Sequence, residues 1–281
     1  MASMAYQGDA ALYQDVVGLI PAGGYATRIE PLPCSKELYP VGFRPVGPNK
    51  SLRPKVVAHY LLEKMQQAGA SKIYVVLRNG KWDIPAYFGD GTLIGCPIAY
   101  LMLGVPFGVP YTLDQAWPFV QNVRVVFGFP DILCEPHDAF VRLLDRQAAT
   151  KADIVLGLFP AHDPSTADMV ELDGEGRSCS IKIKPPVTDL CYTWIIAVWT
   201  PVFGHFMHQY LAAIPVSEFV ARGDLPPMRR ELFVGDVIQA ALDSGLQVET
   251  VLFPEYTYLD IGTPKGLEQA HAVANRLAYQ E

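Results

Sequence analysis

Cysteine is scarce in this 281-residue chain. The five residues Cys34, Cys96, Cys134, Cys179 and Cys191 include no C-x-x-C pair. An odd, scattered set argues against a disulfide framework or a zinc site and points to reduced thiols in a cytoplasmic protein. Long apolar runs are also lacking. A run such as WIIAVW (Trp194–Trp199) is far too short to span a bilayer. The opening MASMAYQGDAALYQD has neither the basic nor the apolar part of a signal peptide, so no membrane partner is expected. Positive charge is sparse: 22 Lys plus Arg stand against 29 Asp plus Glu, a formal net charge of −7. With no basic run, nucleic acid is not an expected partner either.

Other absences narrow the chemistry. No G-x-G-x-x-G stands after a strand, which disfavours a nicotinamide-dependent oxidoreductase, and no Gly-Lys-Ser/Thr marks a Walker A loop. His205 and His208 have the i, i+3 spacing of a metal pair, but no third ligand lies at a useful spacing, so packing is expected. His162-Asp163 has no serine signature beside it, so a hydrolase triad is unsupported. Trp194 and Trp199 sit in an apolar setting that favours the core. No internal repeat, heptad run or low-complexity segment is present.

What is present is alternation. Strands are expected at Val16–Ile20, Lys72–Leu77, Cys96–Leu103, Val123–Phe127 and Ala152–Phe159. Between them, Pro54–Gly69 places Val57, Tyr60, Leu61, Met65 and Ala68 on one helical face, and Gly69 stops it. Thr112–Val120 reads as a short helix. Glu135–Thr150 reads as a helix with acids in its first turn, where they suit the dipole. Ala167–Pro185 predicts two short strands around Asp-Gly-Glu-Gly, and Cys191–Pro201 a further strand. The rest reads as a helix at Leu232–Gly245, two strands, and a last helix with Thr263 as N-cap and Pro264 first. The proline-rich pieces Pro31–Pro54 and Leu225–Pro227 read as loops. The expectation is an α/β fold with a mostly parallel, Rossmann-like sheet sandwiched by helices.

One stretch carries chemistry. LIPAGGYATRIEPLPCSKELYPV (Leu19–Val41) sets two glycines directly after the first strand. In open α/β sheets ligands bind beyond the carboxyl ends of the strands. Glycines there let backbone N–H groups approach an anion with no Cβ in the way. Arg28 offers a fork of donors to phosphate oxygens and Lys36 a compact positive charge. A Gly-Gly-x-x-x-Arg by itself also fits an ordinary strand-to-loop turn with a surface arginine.

The whole run AGGYATRIEPLPCSKELYPV (Ala22–Val41) resembles the N-terminal signature of the sugar-1-phosphate nucleotidyltransferases, or NDP-sugar pyrophosphorylases. That signature begins A-G-G-x-G-T-R-L-x-P-L and goes on to a P-K-x-L-x-P-V run. Tyr87–Leu103, Thr112–Ala116, Val125–Leu133, Ile181–Pro186 and Gly235–Ala270, with its L-D-x-G-T-P, resemble later parts of the same family. The resemblance implies one domain over 1–281. Within it, about 13–150 would form a nucleotide-binding half and about 151–262 a sugar-phosphate half with a β-rich sugar-side insert. A C-terminal helix would occupy 263–281.

The implied reaction is Mg²⁺-dependent transfer of a nucleotidyl group from a nucleoside triphosphate to a sugar 1-phosphate, releasing pyrophosphate. Arg28 and Lys36 would be catalytic. Ala22, Gly23, Gly24, Thr27 and Arg28 would bind the nucleotide. Lys184, Tyr192 and Thr193 would bind the sugar phosphate, and Asp131 and Asp260 would hold Mg²⁺, a hard cation suited to carboxylate and phosphate oxygens. The resemblance also allows a homo-oligomer.

Departures from the pattern keep a second reading in view, a non-catalytic sugar-nucleotide or phosphosugar binder with a regulatory role. Ala26 replaces a loop glycine, Ile183 replaces a sugar-contacting glutamate, and Phe129-Pro130 displace Asp131 from the strand end. Leu103–Ala116 has no clear glutamine for reading a pyrimidine, so neither base nor sugar follows from the sequence.

Overall fold

Runs of Val, Ile and Leu with no polar alternation must be covered on both faces, and in the computed structural model they form the middle of one sheet. The structure describes residues 15–104, 107–215 and 231–277; the loop read at Leu225–Pro227 lies outside them. β1 (Val16–Ala22) opens the chain's first half. It is followed by β2 (Pro40–Val46), β3 (Ser51–Val56), α1 (Val57–Gln67), β4 (Ile73–Leu77), α2 (Asp83–Phe88) and β5 (Ile98–Met102). Then come α3 (Val109–Asp114), α4 (Trp117–Val120), β6 (Arg124–Gly128), β7 (Ile132–Cys134) and α5 (Ala139–Thr150). The second half holds β8 (Ile154–Pro160), β9 (Asp168–Leu172), β10 (Ser178–Ile183), β11 (Tyr192–Trp199) and α6 (Pro201–Ala212). α7 (Val234–Asp243), β12 (Val248–Leu252), β13 (Tyr258–Asp260) and α8 (Pro264–Leu277) close it.

Among the described residues, nine strands make one sheet in the order β10-β9-β11-β6-β1-β4-β5, with β8 also pairing β11 and β12 pairing β8. The block β6-β1-β4-β5 is parallel throughout, so that Leu19 lies between Tyr74 and Phe127. β12 is parallel to β8, and the antiparallel joints fall at β11 and at the β9–β10 hairpin. β1 alternates between two cores. Val16, Ile20 and Ala22 pack with α1 and α5 through Leu61, Met65 and Phe140, while Val17 and Leu19 pack with Leu113, Phe203 and Val237 of α3, α6 and α7. Burying each such side chain stabilises the fold by roughly 2 kcal/mol. Trp194 and Trp199 belong to the second core, Trp199 with its ring centroid 5.4 Å from that of Phe127. No helix among the described residues is long and apolar enough to cross a membrane.

Tertiary pairing moved several element boundaries. Pro31–Pro54 is not all loop, because β2 and β3 pair as an antiparallel ribbon. Its prolines 40, 45 and 54 are tolerated since a two-stranded ribbon consists of edges. The helix read from Pro54 therefore starts at Val57. Thr112–Val120 splits into α3 and α4, with Pro118 in the first turn of α4. α5 starts at Ala139, leaving Glu135 in front of the helix with its N–H directed at the Thr257 carbonyl, 3.4 Å away. The Asp173–Gly176 turn forms as expected, and its hairpin extends the main sheet as an edge.

The β2–β3 ribbon and α1 enclose an unusual group. His59 is fully buried, edge-on to Tyr87 and Phe88 at 5.6 and 5.1 Å, and neither ring nitrogen has a hydrogen-bond partner among the described residues. Burial, helped by the charges of Arg44 and Lys55, pushes its pKa down to about 3. Folded His59 thus stays neutral while the unfolded chain takes up a proton below about pH 6.5. Stability is full above that pH and is lost as the pH falls toward about 3. At pH 5 the loss is on the order of 2 kcal/mol. Urea midpoints at pH 7.5 and 5.0 should show that drop in the native protein, and His59→Phe should largely abolish it.

Candidate active site

The site starts where β1 runs out. Ala22 is buried at the strand's end. A Cβ on the adjacent Gly23 would lie 3.1 Å from Leu103 Cδ2, whereas one on Gly24 would face Lys36 Nζ at 3.8 Å. The two glycines therefore open toward different walls, Gly23 toward the β5 end and Gly24 toward the lysine. Ala26 sits at φ 60°, in the left-handed region where the family pattern has glycine. A residue with a Cβ costs about 1–2 kcal/mol there. After offsetting the larger unfolded-state entropy of glycine, Ala26→Gly should raise stability by about 0.5–1 kcal/mol, read as a shift in urea midpoint. Thr27 and Arg28 follow on an exposed turn, closed by the Ile29 N–H on the Ala26 carbonyl at 3.0 Å. Lys36 begins a 3₁₀ turn, Lys36–Leu38.

The two aspartates come from remote segments. β6 ends at Gly128; Phe129 and Pro130 then turn the chain so that Asp131 stands just before β7. β13 pairs antiparallel with β7 and sets Asp260 opposite Ile132, while the Ile261 N–H donates to the Asp131 carbonyl at 3.0 Å. Displacement of Asp131 from the strand end thus places it on the strand pair that carries Asp260. Thr263 caps α8 as expected, accepting the Gly266 N–H at 3.1 Å and donating to the Asp260 carbonyl at 3.0 Å.

Four charged side chains meet there. Lys36 Nζ pairs with Asp131 Oδ2, both largely buried. Arg28 Nη2 lies 3.5 Å from Asp260 Oδ2 and is mostly exposed, so this contact contributes little in the free protein. The backbone at Gly262 marks the centre. A Cβ added there would meet Asp260 Oδ1 at 2.9 Å, Asp131 Oδ2 at 3.1 Å and Arg28 Nη2 at 3.3 Å. The Gly262 N–H also donates to Asp260 Oδ1 at 2.7 Å. Burial, then the charge of Asp131, lifts the Asp260 pKa against the pull of Gly262 N–H, Arg28 and Lys36. Burial works against the charge on Lys36, but Asp131, with Glu37 and Asp260, outweighs it and raises the pKa.

Beside this cluster a cavity of about 330 Å³ opens between the glycine loop and the residues after β4, lined by Gly24, Tyr25, Lys36, Arg78 and Lys81 among others. That second wall was missed in the sequence. Its only signal was position, since Arg78-Asn79-Gly80-Lys81 follows β4 at the same carboxyl edge as the glycines.

The residues expected to bind sugar phosphate lie elsewhere in the sheet. Tyr192 and Thr193 pair with Val170 and Met169 on β9, and Lys184 follows β10. Lys184 has φ 41°, and its Nζ stands 3.7 Å from the Phe233 ring centroid. Thr193 is 1% exposed and donates its hydroxyl to the Asp168 carbonyl at 2.9 Å. Among the described residues, no hydrogen bond or ion pair ties these three to the aspartate cluster. His205 and His208 pack on Trp117, and His208 Nδ1 reaches Asp114 Oδ1 at 2.9 Å.

Known proteins resemble this chain in sequence and in fold. The chain is 25% identical over 259 residues to the low-salt glycan biosynthesis nucleotidyltransferase Agl11 of Haloferax volcanii, covering 90% of this chain and 64% of that one. It is 26% identical over 247 residues to a glucose-1-phosphate thymidylyltransferase of Streptomyces griseus, covering 85% and 60%. It thus spans less than two thirds of the length of either relative. A solved structure described as a candidate glucose-1-phosphate thymidylyltransferase from Bacillus anthracis superimposes with a TM-score of 0.75 at 20% identity, over 92% of this chain and 95% of that one. A model of the Nucleotidyl transferase family matches residues 17–276, from β1 to α8 and across every element that builds the cluster, and the chain belongs to that family.

Proposed function

We propose that this chain transfers a nucleotidyl group from a nucleoside triphosphate to a sugar 1-phosphate, releasing pyrophosphate. One observation carries the reading: Asp131 and Asp260 meet Lys36 and Arg28 at one point beyond the parallel strands. The names of the relatives, which include thymidylyltransferases of glucose 1-phosphate and a mannose-1-phosphate guanylyltransferase from Mycobacterium tuberculosis, support the substrate class.

Two polyanions must approach in this reaction, so the protein's task is neutralisation and alignment. The backbone from Ala22 to Gly24 and the turn at Thr27 receive the triphosphate. Arg28, exposed and only loosely held, turns onto the departing pyrophosphate and stabilises its growing charge. Lys36 leaves Asp131 for the phosphate at the reacting centre. Lys184 and Tyr192 form the sugar-phosphate side, with Thr193 fixing the strand there through Asp168.

The donor set suits Mg²⁺. Asp131 and Asp260 present hard carboxylate oxygens at one point, and among the described residues no group of three or more His, Cys, Asp or Glu could hold a metal. Mg²⁺ is commonly held by one or two carboxylates plus substrate phosphates, which fits such a sparse site. When bound, the ion would supply charge neutralisation and polarise the phosphorus under attack.

The test is a panel of the common nucleoside triphosphates against sugar 1-phosphates with Mg²⁺, read as released pyrophosphate. Turnover with at least one pair supports the proposal. Thermal stabilisation by these ligands with no pyrophosphate from any pair replaces it with the binding-protein reading, which the left-handed Ala26 in the phosphate loop favours.

A further inference from the structure

Lys36 is gripped from both sides by a single segment, residues 78–83, which runs from the end of β4 to the first residue of α2. On one flank, Asp83 Oδ2 accepts the Ser35 N–H and Asp83 Oδ1 accepts the Ser35 hydroxyl, each at 2.7 Å. On the other, Lys81 Nζ donates to Glu37 Oε1 at 2.5 Å, with side chains only 4% and 2% exposed. A third contact falls on the glycine loop. Arg78 Nε donates to the Gly24 carbonyl at 3.4 Å, and its guanidinium lies 4.3 Å from the Tyr25 ring centroid. The 3₁₀ turn gives Lys36 little backbone freedom between these anchors, since Leu38 N–H bonds the Ser35 carbonyl at 2.8 Å and Tyr39 N–H the Lys36 carbonyl at 3.1 Å.

A buried ion pair such as Lys81–Glu37 is a poor way to gain stability, because desolvation offsets most of the attraction. Among the described residues, Glu37 Oε2 even lacks a hydrogen-bond partner. What the pair does supply is directional. It fixes the backbone immediately after Lys36, as Asp83 fixes the backbone immediately before. A long lysine side chain on a mobile turn would sweep a wide volume, whereas here its Nζ is delivered onto Asp131.

We propose that Asp83 and the Lys81–Glu37 pair are positioning residues: by clamping Ser35 and Glu37 they aim Lys36 at the reacting phosphate. This rests on the nucleotidyl-transfer reading for its catalytic consequence but not for its structural one. None of the three residues touches substrate in this scheme; each acts through Lys36. Since misplacing a catalytic group by about 1 Å costs on the order of 100-fold, loss of the clamp should appear in turnover rather than in substrate binding.

The experiment uses the full chain and two readouts. Asp83→Ala should lower kcat about 10- to 100-fold while the triphosphate KM moves less than about threefold, and Asp83→Asn, which keeps the shape and one acceptor, should recover most of the loss. Without substrate, amine acetylation mapped by mass spectrometry should show Lys36 reacting several-fold faster in Asp83→Ala, as it leaves Asp131. Removing one partner of the buried pair would strand a charge and threaten folding, so Glu37→Gln is combined with Lys81→Met, and the same two changes are expected. Unaltered Lys36 acetylation together with unaltered kcat in the folded variants overturns the proposal. If the native protein releases no pyrophosphate, the functional reading fails, and the acetylation result alone decides whether the loop holds Lys36.

Discussion

Asp260→Asn is expected to lower kcat about 1,000-fold while the protein melts at the same or a higher temperature. The two parts of that result have one cause. Asp260 is held against Asp131 in a largely buried place, and both burial and that neighbouring charge raise its pKa. A carboxylate whose folded-state pKa is raised destabilises the fold at neutral pH, and this penalty fades as the pH falls through the raised value. Removing the charge relieves the penalty. The partner lost is Arg28, whose 3.5 Å contact is mostly exposed and contributes little. Lys36 keeps Asp131. Under the proposed function activity should nevertheless collapse, because one of the two carboxylates that would hold a divalent ion is gone. Pyrophosphate release under saturating Mg²⁺ and a melt at pH 7.5 without the ion check both halves. A variant that melts well below the native protein would show that Asp260 is structural.

Gly266→Ala should cost about 3 kcal/mol or more and disable the site from a distance. A Cβ at this position would fall 1.8 Å from the Asp260 carbonyl oxygen and 2.8 Å from its carbonyl carbon. Both are main-chain atoms of β13, so no side-chain rotation relieves the clash. Either α8 lifts from the strand or β13 shifts from β7, and Asp260 moves in both cases. The Thr263 cap, bonded to Gly266 N–H and to the Asp260 carbonyl, breaks with it. A melting temperature lowered by about 6–12 °C, with kcat reduced when assayed well below the melt, is the expected pair of results. Full activity at native stability would mean that α8 does not support the aspartate.

The parallel core was legible because its signal is local. VVGLI, KIYVVL and VRVVF lack polar alternation, which only strands covered on both faces permit. The glycine loop, Arg28 and Lys36 were legible through a linear pattern at one strand end. The β2–β3 ribbon was not, since its prolines argue locally against strands and only cross-strand pairing reveals them. The start of α5 was misplaced because β7, immediately before it, is held by β13, more than a hundred residues on. Asp131 and Asp260 came into view only through the family resemblance, and nothing linear shows that β7 and β13 share a ladder. The grip of Asp83 and Lys81 on the Lys36 turn was hidden for the same reason: it depends on two loops from neighbouring strands meeting in space.

The β7–β13 ladder also has a bearing on how the chain is made. A ribosome delivers β7 long before β13, so the part already outside the exit tunnel contains Asp131 and Lys36 but not the opposing acid. The aspartate pair is therefore incomplete until Tyr258–Asp260 has emerged and zipped onto Ile132–Cys134.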